Sequence, residues 1–151
     1  MMEFALHWPP LVAAAMLRIL LGLLWFSPLM FGRLWALHNH CTQREMRDRL
    51  TRVLPVELIA SLAIAFVLQQ VLNLAGAIEW VMGLVVGLLM GLGYLAAATP
   101  NQVLYARRAL TPWLIDAGYG VVSSCAMGVL LACWHWDALV HAALASLAQY
   151  Y

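Results

Sequence analysis

The first long apolar run of the chain, residues 11–31, carries an arginine, Arg18, near its middle. A guanidinium keeps its proton, and a charged side chain at bilayer depth costs about 2.5–3.5 kcal/mol on insertion scales. Such a group needs a partner, a wet cavity or a route to the surface. Because 65% of the 151 residues are hydrophobic and mean hydropathy is +0.85, we expect an integral membrane protein with a polar interior.

Apolar segments of span length take up most of the chain. About 20 apolar residues in a helix cross a hydrocarbon core of about 30 Å. The segments that qualify lie at approximately residues 9–32, 55–75, 79–99 and 113–134. No Lys or Arg precedes the first one, so we interpret it as an uncleaved span rather than a signal peptide. The prediction is a single membrane domain over residues 1–151, an all-α membrane protein with a four transmembrane helix bundle.

The basic residues predict the orientation of this bundle. All of them are arginines, and apart from Arg18 they lie between spans one and two or between spans three and four: Arg33, Arg44, Arg47, Arg49, Arg52, Arg107 and Arg108. Cytoplasmic connections carry an excess of Lys and Arg. Both Arg-bearing connections are therefore expected in the cytoplasm, with both termini outside.

Two further helices are expected outside the spans. Thr42 and Glu45 form a capping-box pattern, which predicts an amphipathic helix over residues 43–54 on the cytoplasmic leaflet. An ordinary solvated connecting helix is the alternative, and Pro55 would mark the bend into span two. The tail over residues 137–151 is apolar but too short to span, which predicts a short helix on the outer side, either interfacial or packed, with Asp137 as its N-cap.

This orientation gathers polar side chains into one layer near the cytoplasmic side: Ser27, Glu57, Asn101, Asp116 and Tyr119. Two carboxylates at one depth in a small bundle are expected to face inward, where they can share a proton or hold a cation. The layer is therefore a candidate polar intramembrane site. The alternative is that both carboxylates lie at the interface and are satisfied by water or by nearby arginines.

The partner of Arg18 is a separate question. Gln69 and Gln70 are the polar side chains nearest its predicted depth, and either can form a hydrogen bond with it that has only a structural role. Contact with Asp116 requires closing about two helical turns of depth.

Gly83, Gly87 and Gly91 repeat at four-residue spacing in the third span. Such a stripe lets another helix approach closely in lipid. Its partner can be a span of the same chain or of another copy.

Several stretches resemble a family of small bacterial membrane proteins called domain of unknown function 1761. The segment Trp25–Gly32 (WFSPLMFG) is similar to its W-[YF]-S-P-L-x-F-G signature, and the glycine-rich third span, the turn 99–101 and the segment 115–119 also follow its pattern. The resemblance implies a four-span protein of the bacterial inner membrane with no established activity. Arg18 and Asp116 depart from the pattern with opposite charges, which suggests an ion pair between them.

Other chemistry finds little support in the sequence. His38, His40 and Cys41 offer three possible metal ligands without a fourth, so we predict no metal and no cofactor. The chain shows no nucleophile with a base, no phosphate loop and no basic patch for nucleic acid. We expect permeation or transport of an ion or small solute by a homo-oligomer in the lipid bilayer. A non-catalytic accessory or assembly subunit of a larger membrane complex is the alternative, and an enzyme acting on lipid ranks third.

Overall fold

The computed structural model describes residues 8–76, 79–97, 99–100, 103 and 109–148. The helices are α1 (Trp8–Trp25), α2 (Gly32–His38), α3 (Gln43–Ala75), α4 (Trp80–Leu89), a π-helical segment that continues α4 (Met90–Ala96), and α5 (Leu110–Ala148). Within these described residues the regular structure is entirely helical, as the apolar runs predict.

Three stretches of these helices are long and apolar enough to cross a membrane: Trp8–Trp25, Arg52–Ala75 and Leu110–Trp134. A shorter apolar helix covers Trp80–Gly93. The fourth span that the sequence predicts therefore requires α4 and its π-helical continuation to cross the bilayer together.

The first helix is shorter than the predicted segment over residues 9–32. It ends at Trp25, and α2 begins only at Gly32. Pro28 accounts for the early end, because a proline disfavours helical backbone in the residue before it, here Ser27. This difference moves Arg18 closer to the end of its helix than the sequence indicated.

The predicted amphipathic helix and the second span form one helix. Thr42 caps α3 at its start: its hydroxyl accepts the Glu45 N–H at 3.2 Å, and the Glu45 carboxylate accepts the Thr42 N–H at 2.9 Å, which confirms the capping box. Pro55 lies inside α3 rather than between two helices. Gly76, with a φ of +61°, ends the helix in the left-handed conformation that glycine adopts without strain.

The last helix also runs further than predicted. Helix α5 continues to Ala148, so Asp137 lies within a helix and the prediction that it is an N-cap is wrong. The Ala- and Leu-rich sequence after Trp134 contains no Gly or Pro that would end the helix.

The glycine stripe packs α4 and its continuation against α5. A Cβ at Gly83 would overlap the carbonyl of Gly128, one at Gly87 the carbonyl of Ser124, and one at Gly91 would lie 2.8 Å from the Cα of Val121. Residue numbers rise on one helix as they fall on the other, so the two helices are antiparallel. The partner of the stripe is a span of the same chain.

The core lies where α1, α3, α4 and α5 meet. Its buried members are Leu11, Ala14, Ala65, Leu68, Leu72, Val86, Met127 and Leu131. The set combines two alanines with larger Leu, Val and Met side chains, which interdigitate between the helices.

Candidate functional site

Arg18 lies in the bundle interior with only 8% of its surface exposed. Its Nη1 donates a hydrogen bond to the Ser123 hydroxyl at 2.8 Å, and its Nη2 lies 3.4 Å from Oε1 of Glu57. The guanidinium carbon is 4.9 Å from the centre of the Tyr119 ring, within cation–π distance. We call Arg18, Glu57, Tyr119 and Ser123 the Arg18 site.

Three helices build this site, since α1 supplies Arg18, α3 supplies Glu57 and α5 supplies Tyr119 and Ser123. The two α5 residues share a face because they are four positions apart. The Tyr119 hydroxyl donates to the backbone carbonyl of Arg18 at 2.9 Å. A Cβ at Gly22 would lie 2.9 Å from that hydroxyl, so a glycine at this position lets the phenol reach α1.

The contacts of the guanidinium differ in quality. The bond to Ser123 is short, and that hydroxyl in turn donates to the Gly120 carbonyl at 3.2 Å. The contact with Glu57 is long compared with the 2.7–2.9 Å of a strong charge-assisted hydrogen bond. The Glu57 side chain is 35% exposed, and Nε of Arg18 is buried with no hydrogen-bond partner in the described part of the chain. The guanidinium is therefore anchored on one side and loosely paired on the other.

An aromatic cluster, composed of Trp25, Phe26, Phe31, Trp35 and Tyr119, adjoins the site. Phe26 packs edge-on against both Tyr119 and Trp35, with ring centres 5.4 and 5.9 Å apart. Trp25 packs against Phe31 with ring centres 4.7 Å apart and ring planes tilted by 41°, and it donates its indole N–H to the Ile115 carbonyl at 3.1 Å. The cluster ties the turn after α1 to α5.

The segment Trp25–Gly32 folds so that this cluster can form. The Gly32 N–H donates to the Ser27 carbonyl at 3.0 Å, and the Phe31 N–H donates to the Trp25 carbonyl at 3.1 Å. A Cβ at Gly32 would overlap the Phe26 carbonyl, so this compact turn requires glycine there. The signature-like sequence of this segment thus places aromatic rings against Tyr119, whose own ring lies beside the buried arginine.

The predicted polar layer is only partly assembled. Glu57 and Tyr119 meet around Arg18, whereas Oδ1 of Asp116 accepts the indole N–H of Trp35 at 2.9 Å. Ser27 lies in the turn after α1, and its hydroxyl is buried without a hydrogen-bond partner among the described residues. Asn101 lies outside the described residues.

The ion pair of Arg18 joins it to Glu57 rather than to Asp116, and its side-chain hydrogen bonds lead to Ser123 and Glu57 rather than to Gln69 or Gln70. Arg18 lies nearer the end of its helix than the sequence predicted, because α1 ends at Trp25, and its partner is correspondingly nearer the start of α3. Glu57 and Gln69 are separated by about 18 Å along α3 at 1.5 Å per residue.

Sequence reasoning also missed three residues that shape the site, namely Ser123, Trp25 and Trp35. Ser123 was detectable, because it follows Tyr119 by one helical turn in an otherwise apolar stretch. The indole contacts depend on the turn after α1 and carry no comparable periodic signal.

A comparison with protein families places this arrangement in context. The family model described as "Protein of unknown function (DUF1761)" matches residues 9–132, a stretch that includes every residue of the Arg18 site and of the aromatic cluster. Neither a curated protein nor a solved structure matches the chain. Because the family model covers well over half of the sequence, the chain belongs to the DUF1761 family.

Proposed function

We propose that this chain is a small multi-pass protein of the bacterial inner membrane that passes an ion or small solute through a homo-oligomer. The observation that carries the proposal is the Arg18 site, which contains a buried guanidinium. Its carboxylate partner, Glu57, lies 3.4 Å away and has 35% of its side chain exposed. Ionisable groups inside a membrane bundle are costly and usually serve function. A loosely held pair is suited to exchanging partners with a solute.

The proposed topology has four spans with both termini outside. The fourth span is α4 with its π-helical continuation, which is supported by its packing along residues 121–128 of α5, the middle of the apolar stretch Leu110–Trp134. The first turns of α3 then extend along the cytoplasmic surface as the amphipathic segment, where Arg44, Arg49 and Arg52 are exposed.

A homo-oligomer is proposed because a bundle of this size encloses little volume. A continuous path forms more readily between protomers, with the Arg18 site facing it through the exposed part of Glu57. The accessory-subunit alternative cannot use the glycine stripe as the surface that meets a larger partner, since α5 already packs against that stripe.

The test is a flux measurement on purified protein in sealed vesicles, with its mass in detergent measured in parallel. A homo-oligomer that releases small ions or solutes faster than protein-free vesicles supports the proposal. The matched variants are Glu57→Gln and Asp116→Asn, and only the first is expected to change flux. If wild type gives no flux and purifies in stoichiometric complex with a larger membrane protein, the accessory role replaces permeation.

A further inference from the structure

We infer that the Arg18 site binds a planar monovalent oxyanion, the class that includes small carboxylates and nitrate, and that the anion takes the place of the Glu57 carboxylate. This inference rests on the proposed function and names its substrate class. It replaces the cation expected from paired carboxylates, because Glu57 lies against a guanidinium.

The geometry of the guanidinium carries the inference. Nη1 donates its hydrogen bond to Ser123, so the edge of the guanidinium formed by Nε and Nη2 is the one that remains for an anion. Parallel N–H groups on such an edge match the two oxygens of a planar oxyanion. Glu57 contacts only Nη2, at 3.4 Å, while Nε is buried without a hydrogen-bond partner in the described structure. Glu57 therefore uses half of a two-pronged site.

The space for the anion is the space that the Glu57 carboxylate now fills. Its side chain is 35% exposed, whereas that of Arg18 is 10% exposed, so Glu57 is the partner that can swing away. Ser123 and the ring of Tyr119 hold the guanidinium in place during the exchange.

Protonation of Glu57 favours the exchange, because the neutral acid no longer competes for the guanidinium. Among the residues that the structure describes, Arg18 from α1 and Tyr119 from α5 are the charged or titratable groups that interact with Glu57. Helix α4 carries no titratable side chain; α2 carries Arg33, which is exposed, and His38, whose ring bonds the Leu34 carbonyl. One proton taken up by Glu57 thus accompanies one anion bound by Arg18.

The binding test uses nitrate, which is planar and stays ionised throughout, on purified protein in detergent. The apparent affinity for nitrate is the intrinsic affinity multiplied by the fraction of protein whose site is not occupied by ionised Glu57. Wild type is expected to bind nitrate more tightly at low pH than at high pH, because the proton removes the competing carboxylate. Glu57→Gln is expected to bind tightly and independently of pH, a gain that a misfolded variant cannot show.

Two variants complete the design. Arg18→Lys keeps the charge but loses the two parallel N–H groups of the guanidinium edge. It is expected to weaken nitrate binding by at least about tenfold, because one charge-assisted hydrogen bond is lost. Asp116→Asn is the matched control, since that carboxylate accepts from Trp35, and it should bind as wild type does. Spherical chloride should bind more weakly than nitrate.

Flux in vesicles separates this inference from the proposed function. Nitrate binding that follows the predicted variants, together with nitrate flux, supports both. Potassium flux without nitrate binding overturns the inference and leaves permeation standing. Nitrate binding without any flux supports the site but overturns permeation, and the absence of both overturns both.

Discussion

At the scale of single residues, the protein compensates a buried arginine with contacts of unequal strength. Ser123 satisfies one end of the guanidinium at 2.8 Å, and Glu57 neutralises its charge from 3.4 Å. In a medium without water, a donor left unsatisfied costs more than in a soluble protein. The hydroxyl of Ser123 is therefore expected to contribute to the stability of the fold, along with the Glu57 carboxylate.

Ser123 and its neighbour Ser124 provide a matched pair to test this. Both are buried, but the Ser124 hydroxyl has no hydrogen-bond partner among the described residues. Ser123→Ala should lower the free energy of unfolding by about 1–3 kcal/mol, because it leaves a guanidinium N–H unsatisfied. Ser124→Ala should be neutral or stabilising. Denaturant unfolding in detergent measures both, and equal losses would show that Ser123 does not anchor Arg18.

At the scale of helices, close backbone approach joins α4 to α5. The glycines of the stripe leave room for the carbonyls of Ser124 and Gly128. In lipid, such packing replaces the hydrophobic drive that joins helices in water.

Gly83→Ala is therefore expected to lower the free energy of unfolding by about 1–3 kcal/mol, as overpacking does. Gly93→Ala is the control, because a Cβ there meets no atom within 4 Å. Thermal unfolding in detergent compares the two. A Gly83→Ala protein as stable as the Gly93→Ala protein would contradict the observed helix register.

The capping box gives a prediction on pH. The hydrogen bond from the Thr42 N–H, then that from its hydroxyl, hold the pKa of Glu45 below its ordinary value. A lowered folded-state pKa adds stability that is present above the unfolded value and is lost as pH falls through the folded one. Thr42→Val should move the Glu45 pKa back towards its ordinary value, as followed by NMR titration of its carboxyl carbon. An unchanged pKa would show that the Thr42 hydroxyl contributes nothing.

Local patterns in the sequence predicted the helical elements better than the site. The capping box at Thr42 and the spacing of Gly83, Gly87 and Gly91 depend on neighbours along the chain, and both appear in the structure. The partner of Arg18 depends on the relative height of two helices. Because α1 ends early, at Trp25, the observed partner is Glu57 rather than the glutamine that the sequence predicted.

At the scale of the whole molecule, the arginines predict which ends of the helices lie in the cytoplasm. In a chain whose cysteines are replaced, a cysteine at Arg44 should be protected from a membrane-impermeant thiol reagent in intact cells. One at Glu79 should react, because the connection before α4 is expected outside; both positions are exposed. The reverse labelling pattern would overturn the proposed orientation.

The central claim is that Arg18 pairs with Glu57 inside the bundle, and a double-mutant cycle of Arg18→Met and Glu57→Leu tests it most directly. Glu57→Leu alone should cost about 1–2 kcal/mol, less than a fully buried pair because its side chain is 35% exposed. Arg18→Met should cost less, since it also removes the desolvation of the charge. Unfolding in detergent should show a coupling of about 1 kcal/mol or more, whereas the same cycle with Asp116→Leu should show little. Additive effects of Arg18→Met and Glu57→Leu would contradict the account.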